Sequence, residues 1–342
     1  MVLSDINEML RIGVDVEIVT LRPEPEKTFT CQLRLEKDKC HQVVFKSLFD
    51  IFSWFSLVRK MRIFGPDLLV THLWFANTVG RMAGKISGVK KIISFEQNVY
   101  DNVKTKKMFF ADRFLQGLST KIIAVSEAVK RSLMRHGIRE NNIDVLYNSI
   151  DLEPFQNSTA ANIRQEYGIP ENAFIYICIG RLIHQKAVDV LIDAFAKVVG
   201  NSYLLLVGQG KDREMLERRA KERGVGERVI FAGVRSDVSE ILAASDCFVL
   251  ASRYEGLPLV ITEALAAGMA IIVSDFEAAF EVIDHNKSGL VVPKEDVGAL
   301  ARAMDEVRND NELKTRLERG AKVASTRFSV SEHVLAILQY AK

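Results

Sequence analysis

Apolar residues in this chain alternate between short unbroken runs and longer stretches where they recur every three or four positions. The runs at 16–20, 68–71, 91–94, 121–125, 174–179, 203–207, 228–232, 246–250 and 270–274 read as buried strands. Between them, 77–87 reads as a helix, and 189–199 as another with Leu191, Ile192, Phe195 and Val198 or Val199 on one face. Residues 6–10 read as the end of a further amphipathic helix. Strand and helix alternating in this way predicts parallel sheets with helices on both faces. The most clearly punctuated stretch is 252–275, where a helix lies between the strands 246–250 and 270–274. Gly256 loosens the turn into it, Pro258 suits its first position, and Gly268 suits the left-handed residue just past its end.

Two carboxylates flank that helix start, Glu255 in the loop and Glu263 two turns on. Unpaired N–H groups of a first turn, together with the helix dipole, make such a loop an anion site, and phosphate is the usual anion. A carboxylate can accept both hydroxyls of a ribose diol, and a second can accept hydroxyls of a hexose. Glu263 and Glu255 are candidates for these roles in turn, and Gly256, Leu257, Pro258 and Leu259 are donor-binding candidates of the same loop.

The sequence from EGLP at 255–258 to EALAAG at 263–268 resembles the E-x7-E motif of retaining GT-B glycosyltransferases of family 4, the glycosyl transferases group 1. The likeness runs over about residues 10–342. Residues 180–186, GRLIHQK, are similar to the family's GRLxxQKG, which implies that Arg181 and Lys186 hold the donor diphosphate; a guanidinium fork and an ammonium suit that charge. Ala187 stands where the family has glycine. Residues 203–210 resemble LLIVGDGP, which places Gly208 in a donor-side loop, and the likeness puts backbone near Val234 against the nucleobase. Residues 275–281, DFEAAFE, replace the family's DVGGIPE.

In the first half, 66–72 resembles the family's PDVVHTH strand and ends at His72, while 145–151 resembles VIYNGID, where the first domain closes. At 95–98, FEQN stands where members carry TEHN, so Gln97 occupies the position of a histidine beside donor sugar and acceptor. An amide can position a hydroxyl but cannot take its proton. In the family's front-face attack the departing phosphate can accept it. The resemblance implies a GT-B fold, two Rossmann-like domains facing across a cleft: 1–152 on the acceptor side, 153–325 binding the nucleotide sugar, and 326–342 a terminal helix packing back on the first domain. By the same resemblance the strand at 16–20 corresponds to the family's second, so the chain is read either as a shortened member or as one whose true start, with the first strand and glycine-rich loop, lies upstream.

The implied activity is metal-independent transfer of a hexose, with retention, from a nucleoside-diphosphate sugar to an acceptor hydroxyl of a lipid-linked or cell-envelope glycan. Glu255, Arg181, Lys186 and Gln97 would serve catalysis. No cofactor is implied beyond the donor substrate, and uridine is taken as its base on family frequency. A second reading, a sugar-nucleotide-binding or interaction protein with impaired catalysis, rests on the absent first strand, Gln97 and Ala187. A nucleotide-sugar epimerase of related fold would lack the EGLP and EALAAG dress.

Composition changes this picture little. A net charge of +2 over 342 residues, with 26% charged, gives no general pull toward nucleic acid. Four cysteines, Cys31, Cys40, Cys178 and Cys247, have no CxxC spacing and suggest a reducing cytosol and no metal. No run is long enough to span a membrane and no signal segment is evident. Residues 43–62, however, join a dense aromatic and aliphatic face to Lys46, Arg59, Lys60 and Arg62, and Lys104, Lys106, Lys107, Phe109, Phe110, Arg113 and Phe114 form a second such cluster. Both suit an anionic membrane surface at the inner face of the membrane, the plain alternative being helices packed on a sheet.

Overall fold

The computed structural model describes residues 1–23, 33–99 and 104–342, so Cys31 lies outside the described residues. The chain divides into two compact units, Met1–Ser149 together with Val330–Lys342, and Ile150–Ser329.

In the first unit, β1 (Ile18–Thr20) and β2 (Cys40–Gln42) form a parallel pair. A four-stranded parallel sheet follows in the order β3 (Leu68–His72), β4 (Lys91–Glu96), β5 (Lys121–Ala124) and β6 (Ile143–Val145). Because each strand lies beside the next and right-handed crossovers join parallel neighbours, the helices Trp74–Ser87, Lys106–Leu115 and Glu127–Arg135 share one face of this sheet. The 43–62 stretch is only partly helical. Val43 and Phe45 are extended, their N–H groups donating to Thr20 and Leu21 carbonyls. The helix Ile51–Phe64 starts after Asp50, whose carboxylate accepts the Ser53 N–H as an N-cap. Its inner side, Trp54, Leu57, Val58 and Met61, packs with Phe45, Val79 and Ala83. Helices Val2–Arg11 and Val330–Gln339 pack together, with Ser331 Oγ donating to Glu8 at 2.6 Å and His333 Nε2 3.6 Å from Asp5 Oδ2.

Lys104 departs from its expected place in a surface cluster. Its ammonium is buried between Glu96 Oε2 at 2.9 Å and Asp112 Oδ2 at 2.8 Å, and Arg81 approaches the same carboxylates at 3.7 and 3.5 Å. Two cations and two anions thus cancel, and no side chain of the four is more than 3% exposed. Burial raises the pKa of Asp112 against the pull of Lys104. Phe109 is likewise half-buried, stacked on His136. Of the expected cluster, Lys106, Lys107, Phe110, Arg113 and Phe114 are exposed.

The second unit is a six-stranded parallel sheet built from β7 (Phe174–Ile179), β8 (Ser202–Val207), β9 (Val229–Gly233), β10 (Cys247–Leu250), β11 (Ala270–Ser274) and β12 (Leu290–Val292). Its spatial order is β12-β11-β10-β7-β8-β9. The chain therefore winds one way from β7 and the other way from β10, and those two strands are neighbours. Loops leaving their carboxyl ends diverge to opposite faces and open a crevice at that point. The helix expected over 189–199 spans Val188–Phe195, because the next N–H groups, of Lys197 and Val198, bond three residues back and tighten the chain into turns. Cys178 and Cys247 are buried, and burial pushes the Cys178 thiol up to about 12, which leaves it a small hydrophobe.

Candidate functional site

The helix after β10 is Leu259–Ala266. Pro258 is its cap residue and not its first helical residue, with φ −73° and ψ 119°, and its carbonyl accepts the Ile261 N–H at 3.1 Å. A proline ring at the cap offers no side-chain acceptor, so no side chain caps the first turn. At the other end Gly268 has φ +69°, its N–H donates to Leu265, and the Met269 N–H donates to Ala264. That left-handed backbone is what asks for glycine there, the nearest atoms to a Cβ being those of the flexible Lys322 side chain.

Glu255, in the loop before this helix, is 6% exposed. Its Oε1 accepts Lys186 Nζ at 2.6 Å and Ser252 Oγ at 2.8 Å, and its Oε2 accepts Gln185 Nε2 at 3.3 Å. Lys186 and Gln185 come from the loop after β7, so the pair spans the point where the winding reverses. That juxtaposition is stitched by backbone as well. The Arg253 N–H donates to Gln185 O at 2.8 Å, and Gln185 Nε2 also reaches Tyr254 O at 3.0 Å. Ser274 Oγ, at the end of β11, donates to Ser252 O at 2.5 Å. Arg253 forks onto Asp189 at 3.1 and 2.9 Å and also donates to His184 O. Burial works against ionisation of Asp189, yet the hydrogen bonds from Arg253 bring its pKa below the usual carboxylate range.

Arg181 is exposed and joins this cluster only through Gln185, 3.5 Å from its Oε1. Glu263 is half-buried, its pKa raised by burial, and among the described residues no side chain donates a hydrogen bond to its carboxylate. The structure therefore brings Lys186 and Glu255 together, tethers Arg181 at their edge, and leaves Glu263 apart on the same helix. Gly256, Leu257 and Pro258 are buried in the loop, with Leu259 half-buried.

Gly208 has a local reason to be glycine. Its φ is +135°, and a Cβ there would lie 2.0 Å from Gly180 O. The loops after β7 and β8 stay paired beyond their strands, with Gly180 N–H to Val207 O at 2.9 Å and Leu182 N–H to Gln209 O at 3.0 Å. Gly208 thus sets the backbone that carries Arg181. Val234 is 65% exposed beyond Gly233, and the neighbouring Arg235 is tied to Asp237 and Glu166. Ala187 adopts the left-handed conformation, φ 47° and ψ 39°, while fully buried. That geometry accounts for glycine in the motif it resembles and costs a residue with a Cβ on the order of 1 kcal/mol. Gln97, half-buried, follows β4 in the first unit, where His72 stacks on Phe95 at 4.7 Å and burial takes its imidazole down to about 4.

Sequence reading missed Gln185, Asp189, Ser252, Arg253 and Ser274 as partners of the site. The QK and SRYEGLP strings contain three of them, but only the register of β7 beside β10 reveals that they meet.

Residues 159–324 match the family model described as Glycosyl transferases group 1, and residues 3–154 match Glycosyltransferase Family 4. The lipopolysaccharide core biosynthesis glycosyltransferase LpsE of Rhizobium meliloti (strain 1021) is 36% identical over 177 residues, 52% of this chain and 52% of that protein, so the match spans about half of that relative. A UDP-Gal:alpha-D-GlcNAc-diphosphoundecaprenol alpha-1,3-galactosyltransferase of Escherichia coli is 25% identical over 284 residues, 79% of this chain and 73% of that one. The crystal structure of Anabaena Alr3699/HepE in complex with UDP and glucose superposes with a TM-score of 0.87 at 21% identity, covering 98% of this chain and 94% of that chain. This likeness establishes the fold as two Rossmann-like domains with parallel sheets.

Proposed function

Because the chain belongs to the GT-B-type group 1 glycosyltransferases, we propose that it transfers a hexose, with retention, from a nucleoside-diphosphate sugar to a hydroxyl of a lipid-linked or cell-envelope glycan. The observation that carries this reading is the Lys186–Glu255 pair, held by Gln185 and Ser252 at the reversal of the sheet, beside an uncapped helix start that also bears Glu263.

In this reading the donor diphosphate lies against the first-turn N–H groups of Leu259–Ala266, Lys186 and Arg181. Phosphate oxygens compete with Glu255 for the Lys186 ammonium. As that bond loosens, Glu255 gains acceptor capacity for hexose hydroxyls, and Glu263 accepts the ribose diol. Charge developing on the leaving diphosphate is met by these fixed cations and dipoles without a metal. The β-phosphate oxygen that leaves takes the acceptor proton on the same face. UDP as the nucleotide is supported by the HepE complex with UDP and glucose and by the UDP-Gal-dependent relative.

A thermal-shift panel of UDP-, GDP- and ADP-hexoses, followed by transfer or donor hydrolysis assays, tests the reading. A shift with one nucleotide family, lost in Glu263→Ala, and turnover lost in Lys186→Met are expected. A folded protein that binds no nucleotide sugar, or Glu263→Ala binding as well as the parent, would overturn it.

A further inference from the structure

The helix Ile51–Phe64 is apolar on two opposite sides, and only one of them is covered. Successive residues turn by about 100°. Trp54, Leu57, Val58 and Met61 therefore point one way, into the core. Phe52, Phe55, Arg59 and Ile63 point the other way, and Phe52, Phe55 and Ile63 are 88%, 72% and 71% exposed. Phe49 and Ile51, at the helix start, are exposed as well. A surface helix ordinarily turns charge and amide outward, and an uncovered apolar stripe of this size marks a surface for something else.

The charge on this surface identifies its chemistry. Helix Trp74–Ser87 packs against both Ile51–Phe64 and Lys106–Leu115, so the three helices are neighbours in one layer. Their outward basic residues are Arg59, Arg62, Lys85, Lys106, Lys107 and Arg113. Their only acidic residue is Asp112, which is sealed in the buried charge cluster. In a chain with a net charge of only +2, that separation is local. Exposed aromatics continue across the layer, with Phe110 72% and Phe114 81% exposed. Rings among guanidinium and ammonium groups, with no exposed carboxylate on these helices, suit the phosphates and glycerol level of an anionic bilayer better than the mixed-charge surface of a protein. No helix among the described residues is long and apolar enough to cross a membrane, so the attachment is to its surface.

We propose that this helix layer of the first unit docks on anionic lipid bilayers, with Phe52, Phe55 and Ile63 entering the interface and Arg59 and Arg62 meeting lipid phosphates. This deepens the proposed transfer to a lipid-linked acceptor, because it would bring the enzyme to the leaflet that holds that acceptor. Binding to vesicles is measured without donor, so its failure would leave the transfer reading intact.

Flotation of the full chain with phosphatidylcholine vesicles, and with vesicles containing phosphatidylglycerol, provides the test. Binding is expected only where the anionic lipid is present and should weaken with salt. Each basic residue near an anionic surface is worth about fivefold in affinity, so Arg59→Glu with Arg62→Glu should lower it roughly 25-fold or more. Phe52→Ser with Phe55→Ser should lower it about tenfold or more at unchanged salt dependence and unchanged melting temperature, since both rings are already in water. Equal flotation of these variants and the parent, or no flotation with either vesicle, overturns the proposal. So does a dimer that Phe52→Ser with Phe55→Ser converts to monomer in the absence of lipid, which would assign the face to a second copy of the chain.

Discussion

Each unit gathers charge at the carboxyl end of a central strand, and the two gatherings are built for opposite ends. In the first, Arg81, Glu96, Lys104 and Asp112 form a neutral quartet in which no side chain is more than 3% exposed. In the second, the side chains of Lys186 and Glu255 are 11% and 8% exposed, sit on loops, and have an exposed guanidinium at their edge. A sealed quartet has no route to another partner, so what it can do is tie the helices Trp74–Ser87 and Lys106–Leu115 to the end of β4. A pair at the mouth of a crevice can exchange one partner for a ligand at the cost of a short movement. The same chemical groups are thus sealed from ligands in one unit and open to them in the other, and accessibility makes the difference.

The sharpest way to break this contrast is Arg81→Met, which leaves two buried carboxylates facing one ammonium and should cost about 3–5 kcal/mol. Both tryptophans, Trp54 and Trp74, belong to the first unit, so the urea midpoint read by their fluorescence reports that unit alone. An unchanged midpoint would refute the structural role. Glu255→Gln should do the reverse, lowering turnover by about 10²–10³ with the tryptophan midpoint unmoved. Parallel losses of stability and turnover would erase the distinction.

Acid should also separate the units. Burial lowers the imidazoles of His72 and His333 from an ordinary value near 6.5 to about 4. Between those values the unfolded chain holds protons that the folded first unit does not, so its stability falls as pH drops through that window. Asp5 acts in the opposite sense, since burial raises its carboxyl from near 3.8 to about 6 and it takes up its proton earlier when folded. Two histidines against one carboxylate leave a net loss of roughly 3 kcal/mol from pH 6.5 to 4. His333→Gln should flatten the pH dependence of the tryptophan midpoint, and an unaltered slope would show that the imidazole does not carry it. The smallest effect belongs to Ala187→Gly, where relief of a left-handed backbone opposes a lost buried methyl, so the melting temperature should move by less than about 1 kcal/mol equivalent. A larger stabilisation would mean that the strain at this loop is greater than ordinary.

The features legible in the sequence were those that local rules dictate. Runs of Ile, Val and Leu marked the strands, and Gly268 marked the helix end because only the residue after the last turn needs a left-handed backbone. Glu255 and Lys186 were legible as candidate site residues through their motifs. Their bond to each other, 69 positions apart, was not, because it depends on β7 lying beside β10 in a sheet whose order the runs do not state. Lys104 was misread for the complementary reason. A lysine followed by Lys106, Lys107 and Arg113 looks like part of a solvated face, and only the fold brings Glu96 and Asp112 within 3 Å of it. Gly208 carried a signal whose cause was hidden, since the atom it makes room for, Gly180 O, belongs to a neighbouring loop.

The first unit is discontinuous in the chain, its opening 149 residues being completed by Val330–Lys342. A ribosome must deliver the 180 residues from Ile150 to Ser329 before that last helix can meet Val2–Arg11. At about 5–20 residues per second this is a delay of roughly 10–40 s, during which the second unit emerges whole and the nascent first unit waits with the seat of its closing helix open to chaperones and proteases.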